Sequence, residues 1–286
     1  MIAGDSKSFI YLIAAALIGE SVISHPLTGN IGNDLLGTFC GLIFAAAVTF
    51  ILKWRTDKIK SPRLYVQAVG LTAVAIFSLL SFIICIMRFS EYAARVMLDI
   101  TSVVLPLLSF GALAVFAATK ATKTLLKLSA VLFFLSAASL ILTFAFSVPF
   151  IETKYLLIYK APEAEGFLYS FFRVGGTALL VSLPLLFIGK EVKLSRFVWG
   201  FILGGGGIAL CLINTLGIFG AEFAATLNFP YSYAVSTASV GKIFSRMDVF
   251  LYCVCFFTCL IKCSVCVSTA QKALKKLGSE ILFRKN

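Results

Sequence analysis

The sequence predicts an all-α, polytopic membrane protein, on three observations. Hydrophobic residues make up 60% of the 286 positions and charged residues 13%, against about 45–50% and about 25% in a soluble domain. The apolar residues form continuous runs near the ~20 residues that cross a bilayer as a helix. They do not form the alternating segments of about ten residues that build a membrane barrel. The remaining charges gather between the runs, with the basic ones concentrated in every second connection.

Eight spans are expected, at about Phe9–Ser24, Leu35–Leu52, Tyr65–Met87, Met97–Thr119, Leu125–Val148, Phe167–Gly189, Phe197–Gly220 and Val249–Thr269. The first follows Lys7 and has a short apolar core, as a signal peptide does. No small-x-small cleavage site follows cleanly, and Glu20 interrupts the run, so a retained and irregular first helix is expected. The second is "LLGTFCGLIFAAAVTFIL", closed by Lys53, Trp54 and Arg55. The third ends before Arg88, and the fourth before Lys120 and Lys123. The sixth carries Arg173, Gly175, Gly176 and Pro184; the seventh carries Trp199 near one end and "LGGGGIAL" inside. Trp54 and Trp199 sit where amphipathic rings prefer the interface. The longest polar connections lie near Ile151–Gly166 and Ala221–Met247. The second is too polar to span, and its Phe229-Pro230 start predicts a re-entrant or interfacial segment. The whole chain, residues 1–286, reads as a single integral membrane domain.

The net charge of +12 is explained by topology, not by nucleic acid. Lys53, Arg55, Lys58, Lys60 and Arg63 fall between spans two and three, Lys120, Lys123 and Lys127 between four and five. Lys190, Lys193 and Arg196 fall between six and seven, and Lys272, Lys275, Lys276, Arg284 and Lys285 follow span eight. The alternate connections hold most of the acids. Basic residues favour the cytoplasmic side and anionic headgroups, so both termini are expected in the cytoplasm.

All eight cysteines fall in apolar spans, which implies no disulfide framework. Cys255, Cys259, Cys263 and Cys266 share one helical face. One face cannot complete a tetrahedral metal site alone, so packing is the expectation and no metal or cofactor is predicted. His25 stands alone, and no Ser/His/Asp constellation is legible, so the chain is not expected to be an enzyme.

Three ionisable residues fall inside spans: Glu20, Arg173 and Lys262. A charge at a helix centre costs about 2.5–3.5 kcal/mol on insertion scales, and such residues are usually functional. Arg173 and Lys262 each have a route to a membrane face by snorkelling; Glu20 is the hardest to dismiss. Span one, "LIGESVISHP", and span six, "RVGGTALLVSLP", each run from glycine through polar residues to proline. Glycine and proline weaken a helix, and broken helices in corresponding places of two halves point to a carrier's binding site. Two inverted halves follow, about residues 9–148 and 167–270. The opposing reading is that such glycines only permit close packing, which is the reading preferred for "LGGGGIAL".

The stretch from Phe229 to Leu274 resembles the spore germination permease family, the B subunits of nutrient germinant receptors, within the amino acid–polyamine–organocation superfamily. The residues that carry the resemblance are Phe229-Pro230, Phe244, the triplet Arg246-Met247-Asp248, and Lys262 in the long apolar helix that follows. "FIYLIAAALIGESVISHP" is similar to the family's opening helix. Arg88 and Glu91, and the Lys120 to Lys127 region, fit its third to fifth spans. The family's five-plus-five inverted repeat would here be five plus three. Its sixth helix often carries an acid just after the glycine, where this chain has Thr177, whereas helix one carries Glu20.

The resemblance implies a membrane subunit that binds a small germinant, commonly an amino acid, beside a larger membrane subunit and a lipoprotein subunit. The membrane would be a bacterial cell membrane or the spore inner membrane. Freed backbone N–H groups around Gly19, Glu20 and Ser21, and around Gly175, Gly176 and Thr177, would hold a carboxylate. Phe171 and Phe172 would close over an apolar side chain. Lys262 would supply the positive charge that an ion supplies in related carriers, and Arg246 and Asp248 would be structural. Two other readings stay open: a stand-alone amino-acid permease, proton-coupled or exchanging, and a membrane scaffold that binds no ligand.

Overall fold

The computed structural model describes residues 6–23, 27–58, 64–120, 122–157, 161–188, 192–237 and 247–282. The elements in chain order are α1 Ser6–Val22, α2 Ile31–Lys58, α3 Leu64–Tyr92, α4 Val104–Ala118, α5 Thr122–Ser147 and the short α6 Thr153–Leu157. They continue as α7 Ala164–Ile188, α8 Leu194–Phe219, the short α9 Ala221–Ala224, α10 Pro230–Thr237 and α11 Met247–Leu282. No strand occurs among the described residues. Among the described residues six of the eight expected spans, α2, α3, α5, α7, α8 and α11, are long and apolar enough to cross a membrane; α4 is a shorter apolar helix and α1 has 17 residues. The chain is an all-α, polytopic membrane protein.

The third and fourth expected spans meet at a corner, and the second and eighth are longer than expected, at Ile31–Lys58 and Met247–Leu282. The third span runs past Met87 to Tyr92 and then widens into a single π turn, Ala93–Met97. The fourth starts only at Val104. Between them Asp99 takes a left-handed φ of 50°, and the Ile100 N–H donates back to the Ala94 carbonyl at 2.8 Å. An α-helix cannot continue through a left-handed residue, so the expected start at Met97 gives way to this corner.

At the centre lies α1. Its residues from Phe9 to Glu20 are buried except Tyr11, as expected of a helix apolar on every side. Helices α5, α8 and α11 surround it, with α7 beside them. Small residues let α8 close in. A Cβ on Gly200 would stand 2.8 Å from the Ile13 Cβ, and one on Gly204 would stand 2.6 Å from the Leu17 Cδ1. One on Gly207 would stand 2.5 Å from the Ile18 Cγ1. Helices in lipid associate through such close packing. Gly204→Val is therefore expected to destabilise by about 1–3 kcal/mol through overpacking. Gly206 has nothing within 4 Å of an added Cβ, so Gly206→Ala is expected to be neutral or to gain up to about 1 kcal/mol. Thermal melting in detergent checks both.

The most extensive helix pair is α2 with α7, followed by α1 with α8 and α3 with α11. In the α2–α7 seam a Cβ on Gly41 would meet the Phe171 carbonyl oxygen at 2.6 Å, and one on Gly175 would meet the Gly41 carbonyl oxygen at 3.0 Å. Phe44 packs on Phe171, with ring centroids 5.2 Å apart. Glycines in this seam bring two backbones together.

The buried cysteines Cys85, Cys211, Cys255, Cys259 and Cys263 belong to one core cluster with Phe89, Phe110 and Tyr92. Among the described residues no group of His, Cys, Asp or Glu is arranged to hold a metal ion. The expected interfacial segment includes α10, which begins at Pro230, where a missing N–H is harmless. The Tyr231 hydroxyl meets the Thr143 Oγ1 at 3.0 Å, and the Ser232 hydroxyl donates to the Tyr92 oxygen at 3.1 Å. Beyond the spans, Glu152 pairs with Lys154. The hydrogen bond and then the charge of Glu152 hold the Lys154 ammonium above its ordinary lysine value.

Candidate functional site

Glu20 lies two residues before the end of α1 and is 9% exposed. Its two carboxylate oxygens take different partners. Oε1 accepts from the Arg88 Nη1 of α3 at 2.8 Å, and Oε2 accepts from the Lys262 Nζ of α11. The Lys262 side chain is 5% exposed and that of Arg88 is 27% exposed. Lys262 thus does not snorkel: its stem stays in the core and its ammonium ends on Glu20. An unpaired buried ion is expensive, and pairing with good hydrogen bonds is what makes it tolerable. Three helices distant in sequence are tied together at this point.

Glu20 and Arg88 line a cavity of about 50 Å³. Ser21 lines it from α1, Thr38 from α2, Arg173 and Thr177 from α7. Leu17, Leu27, Ile208 and Leu212 supply apolar wall, and Tyr231 adds a phenol. A few polar groups converging in an apolar enclosure is the usual make-up of a small-molecule site.

The hydroxyls differ in what they offer. Ser21 donates to the Ile18 carbonyl at 2.7 Å, Thr177 to the Val174 carbonyl at 2.9 Å and Thr215 to the Cys211 carbonyl at 2.8 Å. Their protons are spent on their own helices, so they face the cavity as acceptors. The Thr38 hydroxyl is different: it is buried, at 2% residue exposure, with no hydrogen-bond partner among the described residues.

Arg173 stands over the Tyr169 ring, 5.8 Å from its centroid. Asp34 of α2 is near enough to attract it, and Arg88 near enough to repel it. Asp34 is held in turn by the Thr28 N–H, at 3.1 Å from each carboxylate oxygen, and by the Ser170 hydroxyl at 2.9 Å.

Of the residues expected at a site, Glu20, Ser21 and Thr177 line the cavity and Lys262 reaches it through Glu20. Four are corrected. Gly19 packs face-on against Thr258 of α11, where an added Cβ would clash. Gly175 packs against Gly41, and Gly176 has open space beside it. Phe172 is 63% exposed and is absent from the cavity wall, because one helical step turns it about 100° from Arg173. The expected breaks are corrected too. Helix α7 runs unbroken through Gly175, Gly176 and Pro184, and α1 runs unbroken through Gly19 to Val22. The glycines serve close approach, and neither helix unwinds at them. His25, Pro26, Phe244 and Arg246 lie outside the described residues; Asp248 stands in the first turn of α11.

Arg88, Thr38 and Asp34 were not expected at a site. Arg88 reads as part of a connection when the third span is ended at Met87, five residues before the helix ends. The signal lay in Phe89, Ser90 and Tyr92, which carry the helix and its buried face onward. No protein-family model and no curated protein matches the chain.

Proposed function

We propose that this protein is a membrane subunit of a spore germinant receptor, which binds a small carboxylate-bearing nutrient in a carrier-like fold. Amino acids are the class the sequence resemblance points to first. The observation that carries the reading is the cavity itself, in which Glu20, Arg88 and Arg173 converge within apolar walls. The pairing of helices supports the carrier-like part. Helix α1 packs on α8 as α2 packs on α7, and α1 touches α11 as α3 touches α7. These pairs exchange when α1, α2 and α3 are swapped with α7, α8 and α11, which is the correspondence two inverted halves require. In this reading Lys262 stands where an ion would otherwise balance Glu20. Both termini face the cytoplasm, in keeping with the basic connections. Larger membrane and lipoprotein subunits are its partners.

The test is genetic. Deleting this chain is expected to abolish spore germination toward one nutrient in a panel of single amino acids, sugars and nucleosides. Germination unchanged across the panel would sink the proposal. Uptake of labelled amino acid into vesicles holding this chain alone would assign it to transport instead.

A further inference from the structure

We infer that Arg88 is the residue that anchors the ligand's carboxylate, through the edge of its guanidinium that Glu20 leaves unused. The inference rests on the ligand site proposed above and assigns its recognising group. It holds for a simple acid and for an amino acid alike.

A guanidinium carries its N–H donors in one plane, on three nitrogens. Arg88 spends a single nitrogen on the protein: its Nη1 donates to the Glu20 Oε1 at 2.8 Å. Among the described residues its Nε and Nη2 have no hydrogen-bond partner, and neither is enclosed. The fully buried nitrogens without a partner include the Nε of Arg173 and none of Arg88. The Arg88 side chain is partly exposed, and the residue lines the cavity. Nε and Nη2 point the same way, so they match both oxygens of one carboxylate, the paired geometry in which arginine binds carboxylates best.

The neighbours explain why that edge is available. Glu20 meets Arg88 on one oxygen and Lys262 on the other. Lys262 is buried and absent from the cavity wall, so it supplies a full counter-charge to Glu20 from the core side. Two cations thus share one carboxylate, and the one that also faces the cavity is Arg88. Its charge is left to meet an anion in a low-dielectric enclosure, where such an attraction is strong. Arg173, the other arginine of the wall, is committed elsewhere. It stands over the Tyr169 ring and in the field of Asp34, and its Nε is enclosed. Leu17 and Ile208 give the apolar wall for the rest of a small ligand.

The experiment is thermal melting of the purified full-length chain in detergent, with sodium propionate, propionamide, L-alanine or L-alaninamide. Each amide has nearly the shape of its acid and lacks the carboxylate charge. An acid at about 100-fold over its Kd is expected to raise the melting temperature by about 5 °C, with its amide well below. Arg88→Lys keeps a cation for Glu20 but not the paired edge. It is expected to weaken whichever acid protects by about 10- to 100-fold. Where Arg88→Lys does not fold, Glu20→Gln with Lys262→Met decides. That pair leaves Arg88 without a competing carboxylate, so the acid is expected to bind at least as tightly as to the wild type. Binding lost in the pair overturns the inference. Arg88→Lys binding the acid like the wild type overturns it and leaves the ligand site standing. An amide protecting as well as its acid overturns it and removes the carboxylate from the reading. No protection by any of the four overturns the inference and the ligand site together.

Discussion

Lys262→Met is expected to destabilise the protein by about 3–5 kcal/mol, the largest effect of any single substitution considered. Methionine keeps the length and apolar stem of lysine but removes the ammonium. Glu20 is then left with Arg88 alone in a site that is 9% exposed. Removing one partner of a buried ion pair costs that much when the other charge is left buried, and Arg88, whose side chain is 27% exposed, replaces only part of what Lys262 supplies. The paired change Glu20→Gln with Lys262→Met is expected to recover most of the loss, since no carboxylate remains to be stranded. A double-mutant cycle from thermal melting in detergent gives the coupling directly. A coupling near zero, with Lys262→Met melting like the wild type, would show that the lysine reaches a membrane face and that Glu20 does not depend on it.

The second large effect is expected at Gly41. An alanine Cβ there would stand 2.6 Å from the Phe171 carbonyl oxygen and 2.9 Å from the Gly175 nitrogen. Both are backbone atoms of α7, so no side-chain rotation relieves the contact, and the two helices must part. Gly41→Ala is expected to cost about 1–3 kcal/mol, and Gly41→Leu more. Gly176→Ala, one residue from the seam and with open space around it, is expected to be neutral or to gain up to about 1 kcal/mol. A Gly176 variant as damaging as the Gly41 variant would mean that α7 needs its glycines for flexibility and not for packing.

These residues show what was legible in the chain and what was not. The six long spans were legible because hydrocarbon imposes one rule on each segment separately: be apolar for long enough. Glu20 and Lys262 were legible as residues in need of partners, by the same rule. That they partner each other was not, because their pairing joins helices far apart in the chain and leaves no local pattern. Gly175 was ambiguous for a related reason. A glycine that loosens a helix and a glycine that admits a neighbour read alike until the neighbour, here Gly41, is known. Thr38 was invisible among the residues of an apolar run. Only the packing around it removes every partner from its hydroxyl.

The central place of α1 has a consequence for how the protein is made. Helix α1 leaves the ribosome well before α11, since the partner of its carboxylate lies 242 residues later in the chain. At about 5–20 residues per second, synthesis separates the two by about 12–50 s. Through that interval the Glu20 carboxylate has no Lys262, and the α11 face of α1 is open to lipid. The nascent segment therefore waits beside the insertion machinery, at the water interface, or with its acid protonated. Only when α11 enters is the central helix closed off, so a helix made late completes the assembly of one made early.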